Sequence, residues 1–473
     1  MGALERAQAL IEKADPERTL PLCGIKEICI GPDELLYVRE RVISLLGVDP
    51  AIQILFIADK TPIYRAGVAV KPFVISELEK SFSVHAIVLD DGHSELHASD
   101  SVIEVAAKES LGMAAIISLG GGTITDIGKM ASLAVGGIAH VAIQTAASVD
   151  GYTDNVSVIL RNGVKRTVPS RWPEIVIADT TLISQAPASM NRAGFGEINS
   201  MFTAPADWYL AALLGFEDKF HWGPIELLRG VGEGIEEWSP GLKTAEVEAT
   251  GQLVHALAVR GIATGVADTT ACLSGIEHLI SHMFDISQGA RNRPMGLHGG
   301  QVGVGSLLAA CIWELIFIKF DTSKAEIPTL PVRSQTHQEV IDVFHFLDTS
   351  DRLGSECWSD YEQKFSKWAS NANQIQSVLG DWQSHKDQLR ALIRTPEYIA
   401  QGLRSSGSPT LFTDLVPAID GDLVRWALKY CHLMRNRFVG TDLLNFFGCW
   451  TDVEVEWVIG RAAEAGRNVE RSS

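Results

Sequence analysis

The chain has 473 residues, 46% hydrophobic and 21% charged, with a formal net charge of −18. That composition belongs to a folded globular protein rather than a disordered one, and the length favours two domains over one. The acidic balance, with no run of Lys and Arg, argues against nucleic acid or an anionic membrane as a partner. Seven widely spaced cysteines with no CxxC read as free thiols in a reducing compartment. The N-terminal stretch "MGALERAQALIEKADPERTL" mixes acids and bases and has no apolar centre, so no signal peptide is expected and the expected location is cytoplasmic.

From residue 51 short apolar runs alternate with helical patterns. "AIQILFIAD" (51–59), "VHAIVLDD" (84–91), "MAAIISLGGGT" (113–123), "AHVAIQT" (139–145) and "EIVIAD" (174–179) read as strands, with helices such as "SDSVIEVAAKESLG" (99–112) between them. Such repetition predicts a parallel sheet covered by helices on both faces. "VILRNGVKRTVP" (158–169) carries the Asn-Gly of a hairpin. Near its tip, Lys165 and Arg166 read either as a phosphate clamp or as a solvated turn.

After about residue 186 β-branched runs stop and long helical patterns continue to the end. The predicted organisation is an α/β domain over 1–185 and an all-α domain over 186–473. "VGVGSLLAACIWELIFIKF" (302–320) is long enough to raise the question of a membrane span. It contains Glu314 and has no second span for company, so a buried central helix is expected. The polar, Trp-containing stretch 322–410 reads as surface helices or an insertion.

Two motifs carry chemistry. "IISLGGGTITDIGKMASLAV" (116–135) is strand, glycine turn and helix. Backbone N–H groups at such a helix start can face a phosphate, and Thr123 and Thr125 could add hydroxyls; the alternative is a tight turn that binds nothing. Asp59, ending an earlier strand, reads as a ribose acceptor or as an ordinary cap or loop acid. The second motif is "SGIEHLISHMFD" (274–285) followed by "GLHGGQVGVG" (296–305). His278 and His282 share one helix face, and His298 precedes two glycines that leave room beside it. With a carboxylate these imidazoles would make a metal site with an open position; otherwise they are histidines on two ordinary helices.

The ordered set "SLGGGTITDIGK", "QTAASVDGYT", "AGFGEINSMFTAPADW", "SGIEHLISH" and "LHGGQVGVG" resembles the sn-glycerol-1-phosphate dehydrogenases. These belong to the superfamily of iron-type alcohol dehydrogenases, glycerol dehydrogenases and dehydroquinate synthases. The resemblance runs from about residue 20 to 320 and returns weakly at "HLMRNRFVGTDLLNFFG" (432–448). It implies a dehydroquinate synthase-like fold, with a nucleotide-binding domain, a helical domain and a metal in the cleft between them. It implies NAD or NADP and one divalent metal, zinc first, with nickel and iron as alternatives. The implied reaction interconverts dihydroxyacetone phosphate, or a similar small polyol or its phosphate, and sn-glycerol 1-phosphate. By motif, the pyrophosphate falls on Gly120, Gly121 and Gly122, with Thr123, Asp126, Thr145 and Ser148 completing the cofactor set. The metal falls on Glu197, His278 and His298; His282 faces substrate as a proton relay, and Asp150 orients substrate or a bound water. A homodimer is compatible with this reading.

Two positions depart from the pattern. The dehydrogenases usually carry aspartate where this chain has Glu197, and the glycerol-phosphate enzymes usually carry lysine where it has Met201. Glutamate is what the dehydroquinate synthase branch carries, so an NAD- and metal-dependent sugar-phosphate cyclase is the main alternative. The cyclases also use a lysine where this chain has Ser200. A non-catalytic binding module is the third reading.

Overall fold

The computed structural model describes residues 3–161, 164–320, 327–328 and 330–467. The chain forms two compact units, Met1–Gly194 with Trp222–Asp268, and Phe195–His221 with Thr269–Ser473. The first switch falls after Gly194, where the sequence reading places a division after residue 185. Sequence texture carries no mark for the return of Trp222–Asp268 to the first unit.

Among the described residues the first unit holds ten strands: β1 (Glu27–Gly31), β2 (Gln53–Asp59), β3 (Tyr64–Arg65), β4 (Val68–Ala69), β5 (Ser83–Leu89), β6 (Ala115–Gly120), β7 (Ala139–Gln144), β8 (Val156–Arg161), β9 (Val164–Pro169) and β10 (Ile175–Asp179). Six form one parallel sheet in the order β1-β10-β7-β6-β2-β5, while β3–β4 and β8–β9 are antiparallel hairpins. The strands of the expected hairpin pair as β8 and β9, and its Asn-Gly turn at 162–163 lies outside the described residues. Helices α1 (Ala3–Ala14), α2 (Val38–Leu46), α3 (Val70–Glu79), α4 (Asp100–Glu109), α5 (Gly122–Ala134) and α6 (Thr180–Ser184) intervene, and α7 (Ala188–Ile198) carries the chain onward. After α8 (Ala204–Leu213) in the second unit, α9 (Trp222–Gly232), α10 (Ile235–Trp238) and α11 (Val247–Ala267) complete the first. Helix α11 packs on α9 and α6, and Gly265 meets the Trp172 ring so closely that a Cβ would lie 2.0 Å from it.

Period-two alternation in a strand buried on both faces explains the continuous apolar runs. On β2, Ile54, Phe56 and Ala58 join a core with Val38 and Val42 of α2 and Val70, Val74 and Leu78 of α3. Leu55 and Ile57 point the other way, to Val102, Ile103 and Ala106 of α4 and Ile124, Ile127 and Ala131 of α5. Helix α5 sits close to the sheet because Gly128 has no side chain; a Cβ there would lie 2.5 Å from His140 Nε2 and 3.2 Å from Ser118 Cβ.

The chain runs from β2 outward to β5 and returns on the other side of β2 as β6. Strand order reverses between β2 and β6, which leaves a crevice outside their carboxyl ends. Asp59 ends β2, Gly120 ends β6, and Ala58 lies opposite Leu119.

The second unit is helical: α8, α12 (Ile276–Ala290), α13 (His298–Lys319), α14 (Arg333–His345), α15 (Arg352–Ser370), α16 (Ala372–Gly380), α17 (Trp382–Ala391), α18 (Pro396–Ser406), α19 (Gly421–Tyr430), α20 (Gly440–Phe446) and α21 (Asp452–Arg467). Helix α13 is long and apolar enough to cross a membrane, yet most of it is buried within this fold, as the sequence suggested. The stretch 322–410 is more than a surface addition where it is described. Trp368 of α15 is 1% exposed and stacks on Phe446 of α20, with ring centroids 4.3 Å apart. Asn371 donates to the carbonyls of Leu214 and Gly215 beyond α8. Its polar composition belongs to the outer faces of amphipathic helices whose aromatic faces join the core.

A buried lysine ties the first unit together. Lys129 of α5 is fully buried and donates to Asp154 (2.7 Å), to the Gly151 carbonyl (2.7 Å) and to the Val156 carbonyl, with Asp126 at 3.2 Å. Lys129→Met leaves two buried carboxylates without their cation. The expected cost is about 3–5 kcal/mol in the unfolding of this unit, measured by urea denaturation.

Candidate active site

In the first unit, the glycine turn stands at the crevice between β2 and β6. Gly121 caps α5 in extended conformation, and the helical ladder begins with Thr125 N–H to the Gly121 carbonyl. The N–H groups of Gly122, Thr123 and Ile124 therefore lie outside the ladder at the positive end of a thirteen-residue helix. Thr123 is exposed there, whereas the Thr125 hydroxyl turns back to Gly121 O and is buried. The segment after β7 is tied to this turn: Thr145 N–H donates to Gly120 O, and Tyr152 Oη donates to Gly120 O and Ala146 O. Ser148 lies largely buried in the same segment.

Asp150 receives the guanidinium of Arg260 from α11, with Nε and one terminal nitrogen each 3.2 Å from Oδ2. Helix α11 comes this close because Gly261 lies against the Asp150–Thr153 backbone. The Asp126 carboxylate is engaged by Lys129 and by the Val158 N–H of β8. Asp59 accepts from the Thr61 N–H and hydroxyl, and Lys71 Nζ lies 3.5 Å from its carboxylate. Of the hairpin pair, Arg166 lies on β9 opposite Ile159, and the Lys165 side chain is outside the described residues.

In the second unit, Glu197 at the end of α7, His278 on α12 and His298 at the start of α13 come together. One donor atom from each lies within 4.8 Å of the others. Glu197 Oε1 is 3.2 Å from His278 Nε2, and its Oε2 is 3.9 Å from His298 Nε2. What brings α7 to α13 is glycine. A Cβ on Gly196 would lie 2.1 Å from Gly299 O and 3.4 Å from Gly303 Cα, so the two backbones touch where neither has a side chain. On the other side of the contact, a Cβ on Gly303 would lie 2.7 Å from Gly196 Cα.

Both imidazoles are held by their far nitrogens. The Glu277 carboxylate faces His278 Nδ1 at 3.0 Å, and it also accepts from Gly275 N–H and the Thr203 hydroxyl. The Ser281 hydroxyl donates to Gln301, so it accepts from His298 Nδ1–H at 3.0 Å. Each ring then turns its Nε2 toward Glu197, where His278 Nε2–H donates to Oε1; loss of that proton would free a lone pair for a metal. Burial acts to lower the His278 pKa, but the charge and hydrogen bond of Glu197, joined by Glu277, outweigh it and raise it to about 9. The site favours positive charge at the place where a divalent metal would supply it. Two imidazoles and a carboxylate, each imidazole anchored by a partner at Nδ1, fit a catalytic divalent metal.

His282 lies beside this set, its ring centroid 5.6 Å from that of His298 and 6.3 Å from that of His278. Ser200 is buried with its hydroxyl on Leu273 O, and Met201 is 5% exposed. Helix α12 is gripped at its start by Asp207, which accepts from the N–H groups of Ile276 and Gly440. Burial, then the charge of Glu277, push the Asp207 carboxyl well above the usual range. Glu277, Ser281, Asp207, Tyr152 and Arg260 were not singled out in the sequence; only the Glu-His dipeptide at 277–278 signals such a role locally.

Residues 39–187 match the family model of iron-containing alcohol dehydrogenases. A glycerol-1-phosphate dehydrogenase (NAD(P)+) of Haloarcula marismortui is 32% identical over 258 residues, 54% of this chain and 68% of that protein. One of Bacillus subtilis is 24% identical over 437 residues, 91% of this chain and 96% of that protein. Among solved structures, a probable glycerol dehydrogenase from Sinorhizobium meliloti superposes with a TM-score of 0.58 at 14% identity, covering 95% of this chain and all of that one. A maleylacetate reductase from Agrobacterium tumefaciens gives 0.55 at 13%, over 95% and 99%. These likenesses show the dehydroquinate synthase-like fold.

Two outcomes follow from the site's construction. Gly196→Ala forces α7 from α13 and is expected to lower bound metal, with a stability loss of about 1–3 kcal/mol typical of overpacking; metal analysis and thermal unfolding of the same samples read both. Glu277→Gln keeps the shape but weakens the hold on His278. Metal affinity, measured by competition with a chelator, is expected to fall about 10–100-fold.

Proposed function

The chain belongs to the glycerol-1-phosphate dehydrogenase family within the iron-containing alcohol dehydrogenases, and from that premise we propose that it interconverts dihydroxyacetone phosphate and sn-glycerol 1-phosphate with NAD(P) and a divalent metal, zinc by preference. The observation that carries this reading is the convergence of Glu197, His278 and His298, both imidazoles fixed at Nδ1.

When bound, the nicotinamide carries the hydride, and the metal polarises the substrate carbonyl and stabilises the oxyanion that develops on it. The residues supply position and protons. The free N–H groups at the start of α5, with the Thr123 hydroxyl, hold the pyrophosphate. Thr145 and Tyr152 keep that turn in shape through Gly120 O. At the end of β2, Asp59 offers a ribose acceptor and Lys71 a cation for a 2′-phosphate, which suits either cofactor. Arg260 holds the Asp150 carboxylate oriented to accept from the substrate hydroxyl. His282, next to His298, gives the alcohol its proton on reduction and takes it back on oxidation. Arg166, with Lys165, is the assigned partner for the substrate phosphate in place of the lysine missing at Met201.

Glu197 is the one observation that favours a cyclase. Against it, position 200, where the cyclases use a lysine, is a serine whose hydroxyl is committed to Leu273 O, so it supplies no ammonium.

The test is absorbance at 340 nm with metal-loaded protein, NADH or NADPH, and either dihydroxyacetone phosphate or unphosphorylated dihydroxyacetone. Consumption is expected with the phosphate and not with the free ketone. No turnover of the phosphate by metal-loaded protein overturns the reading. His298→Ala is expected to lose metal and activity together; full activity without bound metal would remove Glu197, His278 and His298 from the mechanism.

A further inference from the structure

A second group of metal-ligating side chains lies in the first unit, on the loop joining β5 to α4. Asp91, His93 and His97 each place one donor atom within 4.8 Å of the others. His97 Nδ1 is 2.7 Å from Asp91 Oδ2, and the two imidazoles meet edge to face with centroids 5.2 Å apart. The loop is built to present them. Gly92 turns it with φ 80°. Asp91 also accepts the N–H groups of His93 and His97, which fixes its carboxylate between the two rings. Lys60, the residue after β2, bonds Asp90 (3.2 Å) and the His93 carbonyl (3.0 Å), holding the loop against the end of that strand.

We propose that Asp91, His93 and His97 form a second, exposed site for a divalent transition metal, distinct from the Glu197 set and serving to clamp the loop between β5 and α4 beside the end of β2. Two imidazoles and one carboxylate suit zinc, nickel or copper, and not the all-oxygen coordination that calcium and magnesium require. Ligand bonds of about 2.0–2.2 Å place donor atoms about 3.4 Å apart in a tetrahedron. His93 and His97 are exposed, so rotation about their own side-chain bonds closes the remaining gap without moving a core. The metal takes the place of the proton shared by His97 and Asp91. Water fills the open positions, so the site is structural in its ligands' reach and leaves the reaction at Glu197 untouched.

The full chain is stripped with chelator, loaded with zinc, dialysed against metal-free buffer and its metal counted. The expected count is two per chain. It falls to one in His93→Ala/His97→Ala, which keeps its NAD(P)H oxidation, and to one in His298→Ala. In the unaltered chain, zinc is expected to slow carbethoxylation of His93 and His97, read peptide by peptide. A single metal in the unaltered chain, a count that the loop variant leaves unchanged, or carbethoxylation at the same rate with and without zinc overturns the proposal.

Discussion

The second unit's chemistry depends on one backbone contact. Gly196 of α7 lies so close to Gly299 and Gly303 of α13 that no side chain fits between. Glu197 follows the first glycine in sequence and His298 precedes the second, so the contact that joins the helices also sets the carboxylate beside the imidazole. A contact between backbones has little freedom to slide, because each carbonyl and Cα is fixed by its own helix. The longer reach of a glutamate, compared with the family's usual aspartate, is therefore set against a helix spacing that is itself fixed. Of the residues in the set, only His278 depends on a third element.

That third element is held by a polar chain that runs through the unit. Lys364 of α15 is buried and meets Asp442 of α20 at 2.7 Å. Asp442 accepts from Val439 N–H, and the neighbouring Gly440 N–H donates to Asp207. Asp207 in turn receives Ile276 N–H at the start of α12, one residue before Glu277. Glu277 then fixes His278. Each member accepts or donates where the preceding one leaves a group that would otherwise be buried without a partner. The stretch 322–410 enters this chain through Lys364, and its tryptophans enter the core through Trp368. It supports the element that bears His278 rather than decorating the surface.

Much of the fold was legible because its signals are local. Strands buried on both faces read as apolar runs, the two runs flanking residues 162–163 pair as β8 and β9, and three glycines after an apolar run marked the turn at the end of β6. Histidines four apart put His278 and His282 on one face of α12. The rest depends on pairs far apart in sequence. Lys129 finds Asp154, Asp150 finds Arg260 across 110 positions, and Asp207 finds Gly440 across 233. No spacing rule reports such pairs. Nor does the sequence say that α11 belongs to the sheet-bearing unit, since its apolar residues are as continuous as those of any buried helix. The motif that named Asp126 as a cofactor residue likewise does not announce that its carboxylate meets Lys129 and the Val158 N–H of β8.

The two units solve a common problem by the same means. A loop that carries function cannot be buried without losing water from its backbone carbonyls. In the first unit the Lys129 ammonium replaces that water for Gly151 and Val156, and its charge is balanced by Asp154 and Asp126. In the second, Lys364 does so for His432 and Arg437, balanced by Asp442. Lysine suits this place because three donors on one nitrogen reach several carbonyls and a carboxylate at once. Hydrophobic replacement could match the volume but not the count of donors, and each orphaned carbonyl would then favour a more open loop. The segment that presents Asp150 and the segment that grips α12 are thus both held from beneath by a buried ammonium.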